Sequence, residues 1–113
     1  MSQRPANIFD DINKYDENFI NSISLNNVKS LKDLRNLLLK LEHANYVVTR
    51  FYEIMYNDYI TMINSDYKQI PKNLELCNIK RQKAITEKIQ KAYNYILYLS
   101  TFENPFKSSL ASN

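Results

Sequence analysis

Between residues 28 and 64, hydrophobic and polar positions alternate with a helical period, and no Pro or Gly interrupts the run. Leu31, Leu34, Leu38, Leu41, Asn45, Val48, Tyr52, Met55, Tyr59 and Met62 are spaced three and four apart throughout. That is the a/d rule of a coiled-coil seam, held for more than four heptads. The pattern predicts one helix over 28–64, about 55 Å long at 1.5 Å per residue. A compact 100-residue domain has a radius of gyration of only about 13 Å. The helix is therefore either kinked or the axis of a rod.

With Leu31 at position a, the f row of Asn36, His43, Arg50, Asn57 and Asn64 is polar, and His43 is expected to face solvent. The g row contains Leu37, Ala44 and Phe51, and Leu39, Tyr46, Val47, Ile54 and Ile60 add apolar patches on the b and c sides. Apolar surface on so many sides calls for more than one neighbour. The bulk and hydroxyls of Tyr52 and Tyr59 at a positions also suit a bundle better than a tight two-stranded seam. Asn45 is the polar residue of the seam. It either fixes register and partner, as a buried a-position Asn does, or follows from a chain with 15 Asn among 113 residues.

Shorter patterns flank this stretch. Ile8, Ile12, Tyr15, Phe19 and Ile23 form one stripe, with Asn7 as N-cap and Asp10 in the first turn, and predict a helix over 8–24. The segment 25–27 breaks the pattern, and either Asn27 or Ser30, the latter with Asp33 three residues on, caps the central helix. The segment 65–72 reads as a connection, because Pro71 biases the preceding residue away from helix. A third helix over 73–103 carries its seam in Ile85, Ile89, Ala92, Ile96 and Leu99 and ends before Pro105. The expected fold is all-α: a short helix, a long central helix and a third helix antiparallel to it, with coiled-coil character, in one domain over 1–106 with a flexible polar tail at 107–113.

Composition narrows the chemistry. Gly is absent, which excludes the Gly-dependent phosphate cradles of P-loop and dinucleotide sites. One His and one Cys, His43 and Cys77, give neither a disulfide nor a zinc set, and no nucleophile carries a recognisable flanking motif. The expectation is a non-enzyme without cofactor or metal. A lone Cys fits a reducing compartment, and no stretch reads as a signal peptide or membrane span, so an intracellular, cytoplasmic setting is expected. The Asp10-Asp11 and Asp16-Glu17 pairs lack a calcium loop and read as a solvated face.

Charge divides the chain: residues 1–26 are acidic, while 67–113 carry eight basic and three acidic residues. On the third helix, Lys80, Arg81, Lys88 and Lys91 share one side, continued by Tyr95 and Tyr98. Cations followed by stacking aromatics suit single-stranded nucleic acid or an anionic lipid surface, although the usual state of such a face is simple solvation. Asn104-Pro105-Phe106 also resembles the NPF peptide read by EH domains.

The order of Leu41-Glu42-His43-Ala44-Asn45, Phe51, then Ile79-Lys80-Arg81 through Ile89 to Asn104-Pro105-Phe106, resembles the KxDL-motif family of small coiled-coil proteins across roughly residues 20–106. Lys80 matches the Lys of the motif, whereas Gln82 and Lys83 stand in place of its Asp and Leu. The resemblance implies a non-catalytic subunit of a cytosolic complex that positions lysosomes or endosomes. Together these readings predict a helical subunit that pairs with other helical chains, hetero-oligomeric rather than homo-oligomeric. Its pairing seam is Leu31, Leu34, Leu38, Leu41, Asn45, Val48, Tyr52, Met55 and Tyr59, with Ile89 and Ile96 from the third helix. The alternative is binding of nucleic acid or an anionic membrane surface through the basic face.

Overall fold

The computed structural model describes residues 7–65, 71 and 74–102, and no strand occurs among them. Four α-helices follow in order: α1 (Ile8–Asp11), α2 (Glu17–Ser22), α3 (Leu31–Ile63) and α4 (Leu76–Thr101). Short 3-10 turns at Ile12–Lys14 and Leu25–Asn27 link the first three. The long helix α3 packs against antiparallel α4, and the amino-terminal segment lies across the pair. The radius of gyration is 17.8 Å and the principal extents are 66 × 33 × 21 Å, so the molecule is an elongated bundle.

The caps explain where the helices start. Ser30 accepts a hydrogen bond from the Asp33 N–H at 3.2 Å, while the Asp33 carboxylate accepts from the Lys29 N–H at 2.9 Å. This reciprocal arrangement satisfies two amides at the end of α3 and puts its start at Leu31 rather than at 28. Asn7 caps α1 by accepting from the Asp10 N–H.

The single helix expected over 8–24 is instead two short helices. Tyr15 leaves helical geometry (φ −111°, ψ 69°), and Asp16 then acts as a fresh N-cap, accepting from the Phe19 N–H at 3.0 Å. Two causes combine. The segment is rich in Asp and Asn, whose side chains compete for backbone amides and favour caps over helix interiors. The break also buries Tyr15 and Phe19 together, edge to face at 4.8 Å between ring centroids.

Two clusters form the core. The larger joins Tyr15 and Phe19 to Leu34, Leu41, Ala44, Val47 and Val48 of α3 and to Ile85, Ile89 and Ile96 of α4. The smaller gathers Met55, Leu74 and Ile79 at the far end. The hydroxyl of Thr86, a buried polar residue, donates to the Val48 carbonyl at 3.3 Å and accepts from the Gln82 amide at 3.3 Å. One turn on, the Gln90 amide donates to Thr49 at 3.0 Å. These bonds tie the middle of α3 to the middle of α4.

The expected helix limits of 28–64 and 73–103 contract to Leu31–Ile63 and Leu76–Thr101. The connection read at 65–72, apart from Ser65 and Pro71, and the Asn104-Pro105-Phe106 segment and the tail at 107–113 lie outside the described residues.

Candidate partner-binding surface

The seam of α3 divides into two rows. Leu34, Leu41, Val48 and Met55, the d row, are buried inside the chain's own core. Leu31, Leu38, Asn45, Tyr52 and Tyr59, the a row, are half-buried. The core is rotated from the a/d frame towards d and g: Ala44 is fully buried, and Leu37 and Phe51 pack at its edge. The cause is the amino-terminal segment. Phe9 meets Phe51 edge to face at 6.2 Å, the Lys40 ammonium sits 5.5 Å from the centre of the Phe19 ring, and Tyr15 meets His43 at 5.8 Å. The segment therefore covers the g and f side of α3, and α4, which reaches Val48 on the d row and Thr49 on the e row, leaves the a row between them only partly exposed.

His43, expected to face solvent, is still 43% exposed, but it also anchors that segment: its Nε2 lies 3.3 Å from Asp11 Oδ2. Asp11 also receives the Lys14 ammonium at 3.0 Å. The Lys14 hydrogen bond, partly opposed by burial and assisted by the Lys14 and His43 charges, holds the Asp11 carboxyl below the usual carboxylate range. The same bond pushes the Lys14 ammonium up. Desolvation in the core raises the Tyr15 phenol.

Along the a row, Asn45 Oδ1 is buried without a hydrogen-bond partner. Leaving a buried acceptor unpaired costs about 1–3 kcal/mol. Tyr52 stacks on Tyr56 with ring centroids 6.0 Å apart, and Tyr56 and Ile63 are exposed large apolar residues flanking the row. This strip combines apolar surface, a tyrosine pair and an unsatisfied amide. Ile89 and Ile96 of α4 are buried against α3 and serve the internal core.

On α4, Lys80, Arg81, Lys88, Lys91 and Tyr95 are all exposed. Lys88, however, forms an ion pair with Glu17 of α2 at 3.1 Å, which reduces the local positive field. The opposite charges of the two ends of the chain were the sequence signal for that contact. Tyr98 lies against Phe102, with ring centroids 5.5 Å apart, so the carboxyl end of this face is aromatic. Among the described residues, no cluster of three or more His, Cys, Asp or Glu is arranged to hold a metal, and no helix is long and apolar enough to cross a membrane.

Compared with known proteins, the chain matches no family model, no curated protein and no solved structure.

Proposed function

We propose that the protein is a non-catalytic helical subunit of a multiprotein assembly, and that the a row of α3 receives a helix from another chain. The observation that carries this reading is the split seam. The d row is consumed by the protein's own core, while the a row, which packs only in part against that core through Leu38, Tyr52 and Tyr59, keeps a coiled-coil period and one unpaired amide acceptor. A partner helix laid along the row would cover Leu38 and Tyr52 and place a donor at Asn45. An endosomal or lysosomal setting rests on the resemblance to the KxDL-motif family alone.

Affinity capture from the native source tests the proposal, using the natural chain beside a Leu31→Glu/Ile63→Lys variant. Leu31 is the first residue of α3, where an acid is tolerated by the helix dipole. Ile63 is 48% exposed, so the fold should survive the change. Helical proteins that co-purify in constant ratio with the natural chain and are lost with the variant support the reading. An identical set of captured chains overturns it.

A second reading draws on the exposed cations of α4. Oligonucleotide or anionic-vesicle binding that weakens steeply with salt and is lost in Lys80→Ala/Arg81→Ala/Lys91→Ala would favour it.

A further inference from the structure

Beside the a row, α3 carries a second seam. Lys32, Arg35, Leu39, Glu42, Tyr46, Thr49, Glu53 and Tyr56 follow one another at alternating steps of three and four, along the b and e rows. All are exposed except Thr49, which is half-buried; Leu39 is 63% and Tyr46 54% exposed. An open depression of about 500 Å³ runs along the middle of this face, with Leu39, Glu42, Tyr46 and Glu53 among its walls. At its edge, Thr49 is engaged by Gln90 of α4 at 3.0 Å, while Leu39, Glu42, Tyr46 and Glu53 remain exposed.

The order of charges on this face selects an occupant. In an antiparallel helix pair, residues of one row stand opposite residues of the other row, so the numbers of facing residues have a constant sum. A sum of 88 sets Lys32 opposite Tyr56, Arg35 opposite Glu53, Leu39 opposite Thr49 and Glu42 opposite Tyr46, each of them twice. Opposite charges then meet, the Tyr46 hydroxyl has a carboxylate to donate to, and Leu39 is covered by Thr49 and the neighbouring Tyr46. Moving one heptad to a sum of 95 presses Glu42 against Glu53. Moving the other way, to 81, carries Glu53 past the start of α3 at Leu31. A parallel pair sets Arg35, Glu42 and Glu53 each against its own copy. Like charges in direct opposition disfavour these alternatives.

We infer that a second copy of this chain docks on this face, as an antiparallel α3–α3 dimer with Arg35 of each protomer paired to Glu53 of its partner. The inference goes beyond the subunit reading, because it uses the b and e rows rather than the a row. The overlap from 32 to 56 is about 36 Å long and, at a helix width of about 10 Å, buries about 700 Å² in total, which belongs to weak and reversible association.

Sedimentation of the purified full-length chain tests this without any other partner, so its outcome is separate from that of the capture experiment. From about 10 µM to about 1 mM, a range suited to a weak complex, the mass should rise from 13.4 kDa towards twice that value, less so at high salt. Arg35→Glu and Glu53→Arg should each weaken association about tenfold or more, because two attractive contacts become two repulsive ones. The double variant should restore it. Residues 35 and 53 are about 27 Å apart along one helix, so rescue is possible only between chains. A monomer over the whole range, a dimer indifferent to either reversal, or a double variant that fails to recover while its helix content is unchanged overturns the inference.

Discussion

Replacing Asn45 by Leu tests the split-seam account most directly. The Asn45 amide oxygen is buried with no partner, while the residue as a whole remains partly open on the a side of α3. Two contributions follow from the change. Removing the unpaired acceptor recovers about 1–3 kcal/mol of desolvation cost. The Leu side chain branches at the same carbon and adds apolar surface, but on a half-exposed site its gain falls well below the ~1.5–3 kcal/mol of a fully buried residue. Replacing a half-satisfied amide in a packed strip also carries some repacking cost, typically below about 1.5 kcal/mol. The net expectation is a stabilisation of the isolated chain by about 1–2 kcal/mol, a rise of about 4–8 °C in melting temperature for a domain of this size. Thermal and urea unfolding followed by helical circular dichroism, at concentrations where the chain is monomeric, measures it. The same variant should lose discrimination among partner helices, because the acceptor that rewards a correctly placed donor is gone. A variant that is destabilised or unchanged would mean that Asn45 is already satisfied in the folded chain, and the register role would fall with it.

Ile89 is fully buried between α3 and α4, so Ile89→Ala should cost about 2–5 kcal/mol by urea denaturation, whereas Leu97→Ala, at a 39% exposed site on the same helix, should cost less than about 1 kcal/mol; near-equal effects would refute the assigned packing face. The Asp11 carboxyl titrates lower in the folded chain than in the unfolded one, so its stabilisation is present above about pH 4 and is lost as pH falls through the folded value. The Lys14 ammonium titrates higher when folded, so its share is present below about pH 10.4 and is lost as pH rises through the folded value. Melting temperature against pH should therefore show a plateau with falling limbs, and in Asp11→Asn the acid limb should be shallower; a gap between the two chains that persists below the acid limb refutes the Asp11 anchor.

The all-α architecture was legible because period is a local property. Seam spacing in 31–62 and 85–99 gives two long helices whatever surrounds them, and Pro71 and Pro105 lie just beyond helical runs. What period cannot supply is the identity of the neighbour. Leu34 and Leu38 are equivalent in the heptad, yet one is buried and the other half-open, because the amino-terminal segment packs on the g side rather than the a side. That choice depends on Tyr15 leaving the helix so that it and Phe19 can both enter the core, a tertiary gain that overrides a correctly spaced stripe. The pairing of Lys88 with Glu17 likewise depends on two residues far apart in the sequence. The acidic and basic ends forecast attraction, but not which cation would be neutralised.

The rotation of the core by one row bears on the proposed partner surface in a way that the heptad pattern conceals. A seam with both rows exposed would make α3 a generic coiled-coil strand, able to pair with many helices through leucine alone. With Leu34, Leu41, Val48 and Met55 withdrawn into the core, the surface that the proposal assigns to a partner is the exposed part of the a row, whose centre is an amide and whose far half is tyrosine. Such a strip gains little from nonspecific apolar contact and more from a partner that supplies a donor opposite Asn45 and flat surface opposite Tyr52. Selectivity then comes from the loss incurred by the wrong partner, which leaves the acceptor unsatisfied. In the proposed dimer the same principle would act through charge on the b and e rows: one antiparallel register brings Arg35 to Glu53, and the neighbouring registers are disfavoured by Glu42 against Glu53 or by lost overlap. Under the two proposals together, α3 would hold its own α4, a foreign helix and a second copy at once, each recognised by a different kind of side chain.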